Sequence, residues 1–145
     1  VKIKKQSLCP RFTALIFDQV QFKPSPKVIR DRLERSKIRA LNNVVDISNY
    51  LMLELGQPMH TFDYDKIKKA EMTLREAKKG EKVTTLDNQS RKLPEGTIVI
   101  EDGAKRIIDL CGIMGASNSA VDEKTKRVLL FVQTYNPMKI RLTSW

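Results

Sequence analysis

The order of its helical and strand-like segments is the feature that most restricts how this chain can fold. Two segments with helical spacing lie in residues 26–55, and from about Glu71 short β-prone runs alternate with turns. Strict alternation of strands and helices would predict a parallel sheet, whereas helices followed by strands favour an α+β fold. The 145 residues suffice for one hydrophobic core and not for two ordinary domains. We therefore expect a single compact α+β domain over residues 1–145, with N-terminal helices packed on a mixed or sandwich-like β core.

Local signals place the two helices. Ser25 is expected to be the N-cap of the first helix, with Pro26 at the first helical position, where no N–H is needed. The second helix is expected over residues 43–55, where apolar side chains recur at helical spacing. Gly56 is placed to end it in the left-handed conformation, and a proline two residues later prevents continuation. Residues 59–63 are then expected to form a polar and aromatic loop.

The strands are predicted from short runs of apolar and β-branched residues bounded by turn residues. The expected strands are residues 12–17, 72–74, 83–86, 97–100, 107–111 and 128–132. The last of these, Val-Leu-Leu-Phe-Val, is continuously apolar, which indicates a buried central strand. Asn136 and Pro137 then predict a final helical turn.

The basic charge is the first indication of a partner. The chain has 27 Lys and Arg against 17 Asp and Glu, a net charge of +10. Residues 1–43 hold eleven of the basic and only three of the acidic side chains. This favours an anionic partner such as a nucleic-acid backbone, although a basic helix surface that only interacts with solvent is the alternative.

Other classes of protein are disfavoured. No apolar run approaches the roughly 18–20 residues that span a bilayer, and no apolar stretch follows the N-terminal lysines as in a signal peptide. Cys9 and Cys111 are too few and too distant in sequence for a disulfide framework or a zinc site. We expect no metal site, no membrane partner and a reducing, cytoplasmic setting.

A more specific pattern lies in residues 42–63, which read NNVVDISNYLMLELGQPMHTFD. This string resembles a signature of the β subunit of bacterial phenylalanyl-tRNA synthetase. Further matching positions are Cys9–Phe12, Gly80–Asp87, Gly112–Gly115, Val128–Leu130 and Asn136–Pro137. The resemblance extends across the whole chain and implies an internal fragment of that longer subunit, its tRNA-editing domain.

The resemblance also implies an activity, hydrolysis of the ester in mischarged Tyr-tRNA(Phe). A second, hydrolytic site of this kind is needed when the site that attaches the amino acid cannot reject a similar amino acid of nearly the same shape. The fragment itself would hold no cofactor, because ATP and magnesium serve the parent synthetase. The implied partners are tRNA(Phe), the α subunit and the remaining β-subunit domains of a heterotetramer.

Five positions match residues of the family's editing site. By resemblance, His60 and Asn49 would position substrate and water, while Ser48, Gly112 and Gly115 would line the substrate pocket. An amide both donates and accepts hydrogen bonds, and glycine lets a substrate approach the backbone closely. The alternatives are a structural histidine, helix residues bonded only to backbone, and ordinary loop glycines.

Two further substrate-binding positions depart from the family. Ala116 stands where a second glycine is more frequent, and Phe131 stands where an acidic residue usually accepts a hydrogen bond from the tyrosine hydroxyl. A hydrogen bond to a charged group contributes about 1.5–3 kcal/mol, so its loss predicts weakened or lost editing. Phe131→Glu would then restore activity. Gln133 and Tyr135 are the candidates for a substitute acceptor.

Three functions are therefore compatible with the sequence. The chain is an editing domain, or a catalytically degenerate domain that keeps structural and tRNA-contacting roles, or an unrelated basic nucleic-acid-binding domain. The last predicts aromatic side chains interleaved with basic ones, and residues 23–43 contain none.

Overall fold

A computed structural model describes residues 1–144; Trp145, the last residue of the expected domain, lies outside the described range. The helices are α1 (Lys27–Arg35), α2 (Asn43–Leu55) and α3 (Pro137–Thr143). The strands are β1 (Lys2–Ile3), β2 (Arg11–Phe17), β3 (His60–Asp63), β4 (Met72–Glu76), β5 (Lys82–Thr84), β6 (Ser90–Lys92), β7 (Ile98–Asp102), β8 (Ile107–Leu110), β9 (Met114–Gly115) and β10 (Val128–Thr134).

The strands form two main sheets and a hairpin. The larger sheet has the order β1-β4-β7-β8-β9, in which only the β1–β4 pair is parallel. The smaller sheet, β2-β10-β3, is antiparallel, and β5 with β6 forms the hairpin. This confirms the predicted α+β fold and places β10, the apolar run, between two neighbours.

The hydrophobic core joins the two main sheets. Side chains from the smaller sheet, among them Phe62 and Phe131, pack in one cluster with Leu74, Ile100 and Ile108 of the larger sheet. All five are fully buried. Burying a side chain of this size contributes about 1.5–3 kcal/mol, so this interface between sheets is a main source of stability.

Helix α2 has the bounds that its sequence predicts. The Asn42 side chain accepts hydrogen bonds from the backbone N–H groups of Val44 and Val45, which fixes the first turn. Gly56 ends the helix in the left-handed region, with φ of 65°. Helix α3 likewise begins after Asn136, whose side chain accepts from the Lys139 N–H.

The predicted start of α1 is wrong by one residue. Pro26 is the N-cap and the helix begins at Lys27, while Ser25 makes no capping bond. The Ser25 hydroxyl is instead buried and donates to the Asp46 carboxylate at 2.5 Å. A tertiary bond to α2 therefore takes the side chain that local sequence assigns to the cap.

The predicted loop at residues 59–63 is also wrong, because His60–Asp63 is strand β3. It pairs with β10, with His60 opposite Phe131 and Asp63 opposite Val128. Three successive residues, Thr61 to Asp63, are buried, so the strand shows no alternation of apolar and polar side chains. Asp63 is satisfied internally, since its carboxylate accepts from the Thr125 hydroxyl at 2.7 Å.

Both cysteines are buried free thiols. Within residues 1–144, no helix is long and apolar enough to cross a membrane. Over the same residues, no group of three or more His, Cys, Asp or Glu side chains is arranged to hold a metal ion.

Candidate functional site

His60 lies between two cavities. One, of about 330 Å³, is lined by His60 with Asp109, Gly112, Gly115 and Gln133, and we call it the Asp109 cavity. The other, of about 370 Å³, is lined by His60 with Asn42, Ser48, Asn49 and Leu86, and we call it the Asn49 cavity. The histidine is the first residue of β3, so a rigid sheet rather than a loop positions it. About a quarter of its side chain remains exposed.

Gly115 and His60 are in close contact across the Asp109 cavity. A Cβ on residue 115 would lie 2.4 Å from Nε2 of His60 and 2.6 Å from Cε1. Such distances are well below van der Waals contact, so a side chain at this position would displace the imidazole. Gly115 pairs with Asp109 between β9 and β8, which places the glycine and the carboxyl on adjacent strands.

An apolar environment keeps the imidazole neutral. The ring of His60 packs edge-on against Phe62, with centroids 4.8 Å apart, and against Phe131 at 5.5 Å. Loss of solvation lowers the pKa of His60 to about 4. At neutral pH the imidazole therefore has one N–H donor and one nitrogen acceptor, which suits it to orienting a water molecule or an ester.

Asp109 is the acidic neighbour of His60. Its Oδ1 lies 4.0 Å from Nε2, which is beyond a direct hydrogen bond. The residue is only 4% exposed, and burial raises the pKa of its carboxyl to about 7. The Cys111 thiol is a hydrogen-bonding neighbour of this carboxyl. Sequence reasoning missed Asp109, for which the only signal was one carboxylate within the apolar run of β8.

Asn49 and Ser48 lie on α2 beside the Asn49 cavity. The Asn49 side chain is half-buried and faces the same space as His60. The Ser48 hydroxyl donates to the Val45 carbonyl at 2.8 Å, the local backbone bond that was the alternative to a pocket role. The structure thus brings Asn49 and His60 to one cavity, with Ser48 at its wall.

The other two small residues predicted to line the substrate pocket, Gly112 and Ala116, lie in different environments. Gly112 lines the Asp109 cavity with φ of 70°, and a Cβ there would lie 3.0 Å from the Ile140 side chain. Ala116 does not line that cavity: it is 1% exposed and packs in a second apolar cluster with Val83 and Leu110. Its methyl group therefore packs toward Val83 of the hairpin strand β5.

Phe131 is a core residue in this structure. It is completely buried and stacks between Phe12, at 5.4 Å between centroids, and Phe62, at 4.8 Å. It lines neither cavity and contacts the site through the edge of the His60 ring. The next residue on the same face of β10, Gln133, does line the Asp109 cavity.

A basic surface lies on and around α1. The side chains of Arg30, Arg35, Lys37 and Arg39 are exposed, and within residues 1–144 none has a carboxylate within the 4.0 Å of an ion pair. Arg32 lies over the Tyr50 ring at 5.7 Å and donates to its hydroxyl, which ties α1 to α2. These four side chains, all from the basic first third of the chain, thus form an exposed cationic surface.

Two packed sheets carry a partly open cavity of small-ligand size, which is lined by the histidine and two glycines, and together they make up an α+β domain. The chain belongs to the B3/4 domain family, which it matches over residues 8–145.

Two similar proteins carry the same name. It is 41% identical over 144 residues to the phenylalanine–tRNA ligase β subunit of Carboxydothermus hydrogenoformans and 42% identical to that of Bacillus subtilis. Each match covers 99% of this chain and 18% of the relative, so the chain spans about a fifth of those subunits.

A solved structure has the same fold. It is an N-terminal fragment of the phenylalanyl-tRNA synthetase β subunit from Pyrococcus horikoshii, with a TM-score of 0.68 at 17% identity. The match covers 97% of this chain and 44% of that one. At this identity the likeness concerns the fold alone.

Proposed function

We propose that this chain is part of a phenylalanyl-tRNA synthetase β subunit, in which it acts as the post-transfer editing domain and hydrolyses the ester of mischarged Tyr-tRNA(Phe). The observation that carries the proposal is the contact between Gly115 and His60 at the wall of the Asp109 cavity. Both positions are those that the sequence resemblance assigns to an editing site. The names of the relatives support the same enzyme.

The groups at the cavity suit ester hydrolysis. A water molecule held by the neutral imidazole of His60 attacks the ester carbonyl carbon, the bond to the ribose oxygen breaks, and that oxygen leaves with a proton. Tyrosine and tRNA are the products. Gly112 and Gly115 bring backbone to the cavity wall, where an N–H group can stabilise the developing oxyanion. Asn49 orients the substrate from the adjoining cavity.

A pKa of about 4 makes His60 a weak base, so its main contribution is positioning. Holding the water and the ester in a reactive arrangement converts a bimolecular step into an effectively unimolecular one. We expect this positioning to supply most of the acceleration.

The cationic surface around α1 is the proposed contact for the tRNA backbone. Exposed arginines and lysines such as Arg30, Arg35 and Lys37 neutralise phosphates and release counterions, which makes the affinity salt-dependent. The rest of the β subunit and the α subunit are the proposed protein partners, and the setting is the cytoplasm.

One observation favours a second candidate, a degenerate domain that retains only structural and tRNA-contacting roles. The position expected to hold an acid is Phe131, which is buried in an aromatic stack. An apolar side chain there offers no acceptor for a tyrosine hydroxyl. The two candidates differ in whether the domain hydrolyses the ester at all.

Mischarging by the parent synthetase tests the proposal. With tyrosine in excess, the wild-type enzyme is expected to accumulate little Tyr-tRNA(Phe), whereas Asn49→Ala accumulates it at an unchanged rate of Phe-tRNA(Phe) synthesis. Glu54→Ala, an exposed residue of the same helix that lines neither cavity, is the matched control and should behave as wild type. Equal accumulation by all three enzymes would favour the degenerate domain.

A further inference from the structure

The Asp109 cavity contains two acceptor groups that the protein does not fully use. Asp109 has no Lys or Arg within the 4.0 Å of an ion pair among residues 1–144, and His60 at 4.0 Å is its only such neighbour. Oε1 of Gln133 is buried without a hydrogen-bond partner in the same part of the chain. Both residues line this cavity.

The other buried carboxyls show how unusual Asp109 is. Glu101 binds Arg75 and Lys105, and Asp102 binds Arg106. Asp46 accepts from the Ser25 hydroxyl and from a backbone N–H. These carboxyls are stabilised by charged or backbone donors, whereas Asp109 has a weak thiol donor and a neutral imidazole nearby.

Leaving buried acceptors without donors has a cost in folding stability. Functional sites are where such costs are commonly retained, because a ligand supplies the missing donor. The cavity, at about 330 Å³, lies within the size range of small-ligand sites. Asp109 and Oε1 of Gln133 are both acceptors, so the ligand group that matches this pair is a hydrogen-bond donor, while the N–H of the neutral His60 imidazole remains for an oxygen of the water or ester.

Resting on the editing function proposed above, we propose that Asp109 and Gln133 form the acceptor pair that binds the side-chain hydroxyl of the misacylated amino acid. Asp109 is then the specificity-determining acid of this cavity, on β8 of the larger sheet. The pair distinguishes tyrosyl from phenylalanyl esters, because only the tyrosyl ester carries the donor. Phe131 has no part in this recognition and serves the core.

The raised pKa of Asp109 agrees with this role, since a ligand hydroxyl that donates to the carboxylate offsets the loss of solvation. Gly115 supports it as well: the absence of a Cβ leaves room for His60 beside the carboxyl and keeps the cavity open. A side chain at residue 115 would compete for that space.

The test compares tyrosyl with phenylalanyl compounds in the parent synthetase. Asp109→Leu removes the acceptor in a similar volume, Asp109→Asn keeps one acceptor oxygen, and Gln133→Met removes the second acceptor. Asp122→Asn, a surface carboxyl outside the cavity, is the control. Thermal unfolding identifies any variant that fails to fold.

For hydrolysis, Asp109→Leu should lower kcat/KM for Tyr-tRNA(Phe) about tenfold or more and leave that for Phe-tRNA(Phe) within about twofold. Asp109→Asn should fall between Asp109→Leu and wild type. Equal losses for the two esters would overturn the proposal, because the carboxyl would then bind a group common to both, such as the ammonium.

A binding measurement separates this proposal from the editing function itself. The probes are the non-hydrolysable 3′-tyrosylamino and 3′-phenylalanylamino analogues of adenosine, titrated with the α-subunit site saturated by a phenylalanyl-adenylate analogue. A tyrosyl preference that Asp109→Leu abolishes supports the acceptor pair even if wild-type hydrolysis is no faster than the spontaneous rate. A wild-type enzyme that binds both analogues equally well overturns it.

Discussion

Gly115 lies so close to His60 that a Cβ on the glycine would be 2.4 Å from the imidazole Nε2. The backbone of β9 therefore sets the position of the one histidine in the chain. Because β9 pairs with β8, the same contact also holds the imidazole beside Asp109. The site thus depends on the joining of two sheets, with His60 from the smaller and Asp109 from the larger.

Gly115→Ala tests this relationship. The added methyl group must displace His60, so hydrolysis of Tyr-tRNA(Phe) should fall at least tenfold. Gly56→Ala is the matched control: its Cβ meets nothing within 4 Å, while its φ of 65° costs about 1–2 kcal/mol of stability. A Gly115→Ala enzyme that edits as well as the Gly56→Ala enzyme would contradict the contact.

The pH dependence of stability should reveal His60. Its folded pKa of about 4 lies below the ordinary 6.5, so as the pH falls from about 6.5 to 4 the unfolded chain binds a proton that the folded chain does not. This group therefore removes up to about 3 kcal/mol of stability over that window. Relative to wild type, His60→Asn should gain stability as the pH falls, as measured by urea unfolding.

Asp109 should change the folding stability with pH in the opposite direction to His60. Its folded pKa of about 7 lies above the ordinary 3.8, so the folded chain binds the proton first and the stability contributed by this group rises as the pH falls from about 7 to 4. Above pH 7 the buried charge is a full cost, of the order of 4 kcal/mol. Asp109→Leu should therefore be more stable than wild type at pH 8 and lose that advantage toward pH 4. A pH-independent difference would contradict this.

Replacing Phe131 with glutamate is expected to damage the fold. The sequence resemblance predicts that Phe131→Glu restores editing, whereas the stack of Phe12, Phe131 and Phe62 predicts a loss of about 3–5 kcal/mol from the packing alone. Phe131→Leu, which stays apolar, should lose less and keep wild-type editing. Full stability of Phe131→Glu together with faster hydrolysis would show that residue 131 reaches the cavity.

Ser25→Ala should weaken the packing of α1 against α2. It removes the 2.5 Å hydrogen bond to Asp46 and leaves one buried carboxylate oxygen without this donor, at a cost of about 1–3 kcal/mol. Ser144→Ala, an exposed serine after α3, should change stability by less than about 0.5 kcal/mol. Denaturant midpoints of the two variants in the 145-residue chain give the comparison.

Elements were predicted correctly where neighbouring residues, such as a helix cap or a terminating glycine, fix their ends. The cap at Asn42 and the left-handed Gly56 fix α2 within neighbouring residues, and its bounds follow from them. Strand β3 was missed because Thr61, Phe62 and Asp63 are all buried, which removes the alternation that identifies a strand. These three residues are buried by contacts with distant parts of the chain, which local sequence patterns do not show.

Only those residues of the candidate site that belong to a recognisable sequence motif could be predicted. His60, Asn49 and the glycines follow from resemblance, and the structure brings them to two adjoining cavities. Asp109 could not be found in this way. Its proposed role depends on its approach to His60, which lies 49 residues earlier in the chain and on the other sheet. Sequence spacing does not reveal such a contact.

The single-turnover rate of Tyr-tRNA(Phe) hydrolysis by the parent synthetase, compared between wild type and His60→Ala, tests whether this domain edits. The wild-type enzyme is expected to hydrolyse the ester well above the spontaneous rate, and His60→Ala is expected to lose at least tenfold with its fold intact. A wild-type rate equal to the spontaneous one, or a His60→Ala rate equal to wild type, would contradict it.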